Sequence, residues 1–315
     1  MVTNKQIKHN NMKKTLIALA ALAMVAACNK AEVIEVPQGD AIAFENPFVD
    51  NATKATATDP SYGAVDFTKF QVWGTANDVA IFNGNDVEGV VGEGNEWSCS
   101  NKQYWIEGVK YDFAAVANGK VESLANGLPA TISYTANGTS DLVYAESKNI
   151  TGQPAGSNVP VALTFSHLLA KVKFTATTNT NVEGYSYTVS DITIKNAYDS
   201  GVYTVEGTSW GTLAKTNGQA FGSITVDMNT KSSECAQEKL LIPIAVADKI
   251  NIACKVTLNF NGEKIWEDTP NVTVNTGLAP ANAYNFTIAL NVGEEIKFSV
   301  VKGPSWTTNG DITIQ

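Results

Sequence analysis

The 315-residue chain contains no arginine: all 22 basic residues are lysine. It has two histidines, His9 and His167, and four cysteines. Without arginine there is no bidentate clamp for phosphate or carboxylate. Two histidines far apart in sequence make no imidazole cluster for a metal. The P-loop, the dinucleotide fingerprint and the G-x-S-x-G nucleophile elbow are absent as well. The Gly-rich stretch 83–94 lacks the following helix that a phosphate cradle needs, and its acids lack the EF-hand spacing; it reads as an exposed loop. His167 lies among apolar neighbours in Phe165-Ser166-His167-Leu168-Leu169 and reads as a core or loop histidine. Charge is scarce too, at 17% of residues against 44% hydrophobic, which excludes a disordered chain. Acids outnumber bases by 31 to 22, whereas a nucleic-acid binder needs a basic footprint. The expectation is no enzyme, no metal and no cofactor. The length suits about two domains, each able to bury its own core.

The amino terminus carries an address. Lys13-Lys14 precede the apolar run Leu16–Val25, which is too short to span a bilayer. The run ends Val25-Ala26-Ala27-Cys28, which resembles the lipobox of a bacterial lipoprotein, where the cysteine thiol is acylated and the chain is cut before it. An ordinary signal peptide followed by a chance cysteine is the alternative. On the lipobox reading residues 1–27 are removed and Cys28 carries the lipid. The mature chain then has 31 acids against 18 lysines, a charge of −13. So acidic a surface does not hold an anionic bilayer, and attachment falls to the lipid. Asn29-Lys30-Ala31-Glu32 loosely resembles the signal that sends Bacteroides-type lipoproteins to the outer face of the outer membrane; a solvated linker fits equally.

Three cysteines remain: Cys99, Cys235 and Cys254. An odd number leaves at least one free thiol. In Ile252–Leu258 the alternation sets Cys254 with Ile252, Val256 and Leu258 on an apolar face, as a small hydrophobe. A Cys235–Cys254 bridge is the competing possibility.

Everything after residue 40 reads as β-structure. Short runs alternate apolar and polar residues, as in Phe70–Trp73, Tyr111–Val116, Val161–Phe165, Ala170–Phe174 and Phe286–Leu290. Asn-Gly pairs at 83, 118, 126, 137, 217, 261 and 309 supply the two positive-φ positions of a type I′ turn. Asn259–Trp266 is the clearest hairpin. No stretch holds helical periodicity for three turns. Many short strands with frequent turns imply β-sandwiches. Thr151–Asn158, dense in Gly, Pro and Ser, is the best internal boundary; a long loop inside one domain competes with it. The six tryptophans, scattered through alternating strands, read as core more readily than as sugar-stacking platforms.

As a whole the pattern resembles the fimbrillin family, the type V pilins of Bacteroidales. The carriers are the lipobox, the early strand Ala41-Ile42-Ala43-Phe44, and the polar stretch Asn51–Thr56 with its single basic residue, Lys54. Phe70–Thr75, Tyr104-Trp105, Tyr111–Ala115 and Asp141–Ala145 follow in order. Leu163–Phe174 is the most specific match, and Leu278–Ile288 and Ile296–Val300 close the series. The resemblance implies an all-β chain of two transthyretin-like β-sandwich domains behind a lipoprotein signal peptide. The expected division is 1–27 signal peptide, 28–60 lipid-anchored linker and removable first strand, 61–158 amino-terminal domain and 159–315 carboxy-terminal domain.

The same resemblance implies a pilus subunit whose partners are other pilin subunits. It would sit on the outer membrane through the lipid on Cys28 and pass into the pilus after processing. In the family a protease cuts after a basic residue, usually Arg, and frees a first strand; the carboxy-terminal strand of another subunit fills the groove. This chain has no Arg, so the expected cut falls between Lys54 and Ala55, in a small, polar, breaker-rich stretch. A plain tether to the membrane is the alternative for residues 28–60. Residues 296–315 are the expected donor segment, with Ile296, Phe298, Ile312 and Ile314 as pocket fillers; completion of the chain's own sandwich is the alternative. A monomeric surface lipoprotein that binds a glycan or host protein through its loops is the second functional reading.

Overall fold

The computed structural model describes residues 39–45, 48–49, 69–89, 97–235 and 237–303. Cys28, Lys54, Ala55, Ile312 and Ile314 lie outside them. The described residues form 21 strands, one 3₁₀ turn at Val246–Asp248 and no α-helix. The first nine strands are β1 (Phe48–Val49), β2 (Lys69–Ala76), β3 (Val79–Gly89), β4 (Trp97–Cys99), β5 (Lys110–Ala117), β6 (Lys120–Ala125), β7 (Leu128–Thr135), β8 (Val143–Thr151) and β9 (Thr164–His167). Next come β10 (Ala170–Thr177), β11 (Tyr185–Ile194), β12 (Ser200–Thr204), β13 (Ser209–Ala214), β14 (Gln219–Asp227), β15 (Ser232–Glu234) and β16 (Lys239–Leu241). The last are β17 (Ile250–Phe260), β18 (Glu263–Asp268), β19 (Asn271–Val274), β20 (Ala283–Ala289) and β21 (Lys297–Gly303).

They build four sheets. A seven-stranded sheet runs β1-β9-β8-β5-β2-β3-β4, and a four-stranded sheet runs β13-β12-β7-β6. Two five-stranded sheets follow: β15-β10-β20-β21 with β16 also on β10, and β14-β11-β17-β18 with β19 also on β17. Pairing is antiparallel except for β1 with β9 and β10 with β20. The all-β expectation holds.

Alternation assigns each side chain to a core. In β5, Tyr111, Phe113, Ala115 and Ala117 face one way, and Ala114 and Val116 the other; all six are buried. The seven-stranded sheet is therefore covered on both faces at its centre, which explains the unbroken apolar run. One face carries an aromatic core of Phe70, Phe82, Phe113 and Phe165. The other packs Trp73 and Val116 against Ile132 and Tyr134 of β7 and Tyr203 of β12. The two five-stranded sheets enclose a third core around Val172, Phe174, Val189, Phe221, Val256 and Phe286.

Three tight hairpin turns fall on Asn-Gly pairs, two of them with the expected type I′ geometry. Asn126-Gly127 and Asn261-Gly262 have positive φ at both residues, the type I′ requirement. At Asn118-Gly119 only Asn118 is positive, the type II′ pattern. Other pairs do different work. Gly84 lies inside β3, where the register with β2 shifts, so it marks a bulge. The β2–β3 hairpin turns instead on Asn77-Asp78, with φ of 45° and 65°. Asn217-Gly218 joins β13 to β14, which do not pair with each other.

Leu163, Phe165, Val172 and Phe174 are buried, as alternation requires. Lys171 and Lys173 point away and pair with Glu238 and Glu234 at 2.6 and 2.9 Å. Yet these four apolar residues serve two cores: Leu163 and Phe165 the first, Val172 and Phe174 the third. Past the Gly/Pro-rich stretch, β9 joins β8 in the first sheet. The β12–β13 hairpin adds to β7. Cys99, Cys235 and Cys254 are free thiols. Cys254 shares its buried face with Ile252, Val256 and Leu258.

Phe165→Ala removes a fully buried ring from the first core. The expected loss is ~3–5 kcal/mol, measured as the shift of a denaturant melt. A loss below about 1 kcal/mol would mean that the ring is not part of a packed core.

Candidate functional site

The first described segment, 39–45, forms no long strand, yet it is held like one. Ile42 donates its backbone N–H to Gln103 (2.8 Å), and Trp105 donates to the Asp40 carbonyl (3.0 Å). On the other side Val161 donates to the Ala43 carbonyl (2.7 Å) and Glu45 donates to Val161 (3.0 Å). The segment thus runs antiparallel to residues 97–104, bridging Ala41 to Tyr104 and Phe44 to Trp97, and parallel to Val161. Shortly after it, β1 pairs with β9.

Period-two alternation decides what it buries. Ile42 and Phe44 are 5% and 3% exposed, while Ala41 and Ala43 face outward. The Phe44 ring meets Phe70, Phe82 and Phe113 edge-on, with centroids 5.8–6.2 Å apart. Burial of two such side chains is worth roughly 1.5–3 kcal/mol each. At its start a Cβ on Gly39 would lie 2.1 Å from the Trp105 carbonyl oxygen, so the close approach admits only glycine. Asp40 then accepts two backbone N–H groups from the 156–158 loop. The alternation made Ile42 and Phe44 legible. Asp40 was missed: an acid ahead of an alternating run has no local signature, and its partners lie 116 and 118 residues away.

If these few residues left, Phe70, Phe82 and Phe113 would lose their cover. What remained would be an apolar groove flanked by two backbone edges, at 103–105 and at 161. An extended peptide fits that shape through main-chain bonds and alternate side chains.

The carboxy-terminal candidates divide. Ile296 and Phe298 pack half-buried against the third core. β21 pairs with β20 from Lys297↔Ala289 to Gly303↔Ala283, with Val300 buried. These residues complete the chain's own sheet in this structure.

The remaining chemistry is sparse. His167, buried, contacts the buried Asp141 carboxylate through Nδ1. Asn118 Nδ2 donates to the Asp141 carbonyl (2.8 Å), which ties the β5–β6 turn to the same spot. Among the described residues no group of three or more His, Cys, Asp or Glu side chains is placed to hold a metal ion. Of the tryptophans, Trp73, Trp97 and Trp105 are buried, Trp210 is half-buried, and Trp266 is 44% exposed on the edge strand β18. Burial, with a smaller contribution from Asp268, pushes the Cys254 thiol up to about 12.

Residues 53–303 match the fimbrillin-like family model. No curated protein matches the chain. It is similar in fold to three solved structures, among others. A fimbrial protein from Bacteroides vulgatus aligns with a TM-score of 0.58 at 15% identity, over 85% of this chain and 99% of that one. A putative cell adhesion protein from Bacteroides ovatus gives 0.52 at 13%, over 86% and 99%. Another, from Bacteroides uniformis, gives 0.50 at 18%, over 85% and 98%.

A thiolate is the reactive form of cysteine. At pH 8 an aromatic disulfide reagent should therefore modify Cys99 first and leave Cys235 and Cys254 untouched until denaturant is added. Rapid reaction at Cys254 in the native protein would contradict its seat in the third core.

Proposed function

The chain belongs to the fimbrillin-like family, and from that membership together with the seat of residues 39–45 we propose that it is a structural subunit of a cell-surface pilus, assembled by strand exchange. The family is one of fimbrial structural proteins, and a pilus or adhesion role at the cell surface follows from it. The carrying observation is the short segment bearing Ile42 and Phe44. It covers an aromatic core, is held by four backbone bonds to sequence-distant partners, and precedes a lysine at position 54.

In the proposed cycle Cys28 is acylated and carries the chain to the outer membrane. A cut between Lys54 and Ala55 then separates lipid and first segment from the rest. A strand from another subunit enters the opened groove. The donor is the stretch beyond β21, where Ile312 and Ile314 recur at every second position. The place of β21 within its own sheet supports a donor that begins after Gly303 and leaves Ile296 and Phe298 at home. We keep the division into two sandwich units near residue 158, with β9 and the β12–β13 hairpin lent by the second stretch to the first.

Two variants test the cycle. Lys54→Ala protein should stay lipidated and monomeric on the cell; polymers free of lipid would show that the cut lies elsewhere. Deletion of residues 306–315 should leave a folded, processed monomer that does not polymerise. Loss of the third core on that deletion, seen by near-ultraviolet circular dichroism and melting, would assign the tail to its own sandwich.

A further inference from the structure

The loop after β8 is built to hold an anion. The Pro154 carbonyl accepts the Ser157 N–H (3.3 Å), closing a turn whose third residue, Gly156, has φ of +88°. Such a φ at that position calls for glycine. Asn158 is also left-handed, with φ of +46°. Outside the turn Gln153 and Val159 bond in both directions: Nε2 donates to the Val159 carbonyl (2.9 Å), and the Val159 N–H donates to Oε1 (3.2 Å). At its base Gly152 donates to the Val109 carbonyl (2.7 Å), and Gly108 donates to the Gly152 carbonyl (3.2 Å). None of these bonds involves residues 39–45.

The result is a concave pair of N–H groups, those of Gly156 and Asn158. Both point at one oxygen, Asp40 Oδ2, at 2.8 and 3.1 Å. Converging backbone N–H groups around left-handed residues form an anion-binding nest. Hydrogen bonds to a carboxylate are roughly twice as strong as neutral ones. The nest lies at the start of the groove, two residues ahead of the Ile42 pocket and four ahead of the Phe44 pocket.

We propose that residues 153–159 form a carboxylate-binding subsite of the groove. In the intact chain Asp40 fills it and latches the first segment. After that segment leaves, the subsite favours an incoming strand with an acidic side chain two residues ahead of its first apolar filler; this chain's own tail, with Gly310 two residues ahead of Ile312, lacks that pattern, so the subsite distinguishes such a tail from the first segment. The latch stands on the geometry alone; selection of an incoming strand rests on the strand-exchange function proposed above.

Hydrogen exchange on the full chain tests the latch. Asp40→Ala should speed exchange in 40–45 and 154–159 by about tenfold or more, the scale of a charge-assisted bond. Asp40→Asn, which keeps one acceptor oxygen, should fall between it and the parent. Residues 111–117 should not change, which separates the latch from general destabilisation. Unchanged exchange in 40–45 would overturn it. For selection, the full chain nicked after Lys54 is mixed with a labelled peptide of residues 39–49 and with the same peptide carrying D40N. The acidic peptide should bind about tenfold tighter. Equal binding would overturn selection and leave the latch to the exchange data. Binding of neither peptide would overturn strand exchange in this groove, and selection with it.

Discussion

Twelve residues, Leu163 to Phe174, feed all three cores. Leu163 and Phe165 pack into the aromatic core beneath residues 39–45. Leu168 and Leu169 enter the core between the seven- and four-stranded sheets. Ala170, Val172 and Phe174 enter the third. No other run so short connects so much, and the strands around it are fixed by where it goes. Its middle is pinned by the buried contact of His167 with Asp141 and by the Leu168 N–H on the Leu142 carbonyl (3.0 Å). Removing one partner of such a buried pair is costly, so the contacts anchor this crossing as a joint between the sheets.

Against that joint, residues 39–45 are lightly held. They are held by two apolar side chains, the Asp40 carboxylate and four backbone bonds shared between two edges. Besides them, a cut after Lys54 would take from the seven-stranded sheet the two-residue edge strand β1. β21 is the opposite case: it runs beside β20 for seven residues. The difference is why the proposed exchange is assigned to the amino-terminal segment and not to β21. The outer edge strand β18 is exposed along its length but charged, with Glu267 bound to Lys255 and Lys264 at 3.0 and 3.1 Å. Charged edges discourage unplanned pairing between copies.

Much of this was legible from alternation. The strands at 70–73, 170–174 and 286–290 declare themselves because a half-buried strand repeats every two residues, while 111–116, covered on both faces, shows as a nearly continuous apolar run. The inward set of Ile42, Phe44, Phe165 and Phe174 follows from the same period. Partner choice was not legible. Nothing local tells β12 to pair with β7, or β10 to lie parallel to β20, because those pairings are settled by long-range packing. The Thr151–Asn158 stretch was legible only in part: Gly and Pro mark a turn, but composition does not reveal that the turn is braced and binds Asp40. Asn83-Gly84 offered the right residues for a hairpin and became a bulge, since the chain reverses earlier, at Asn77-Asp78.

The central claim is that the first segment is removed before subunits join. Determining the amino-terminal residue of the chain within isolated polymers tests this most directly. Ala55 as the first residue is the predicted result. Polymers whose subunits still begin at the acylated Cys28 would contradict the account.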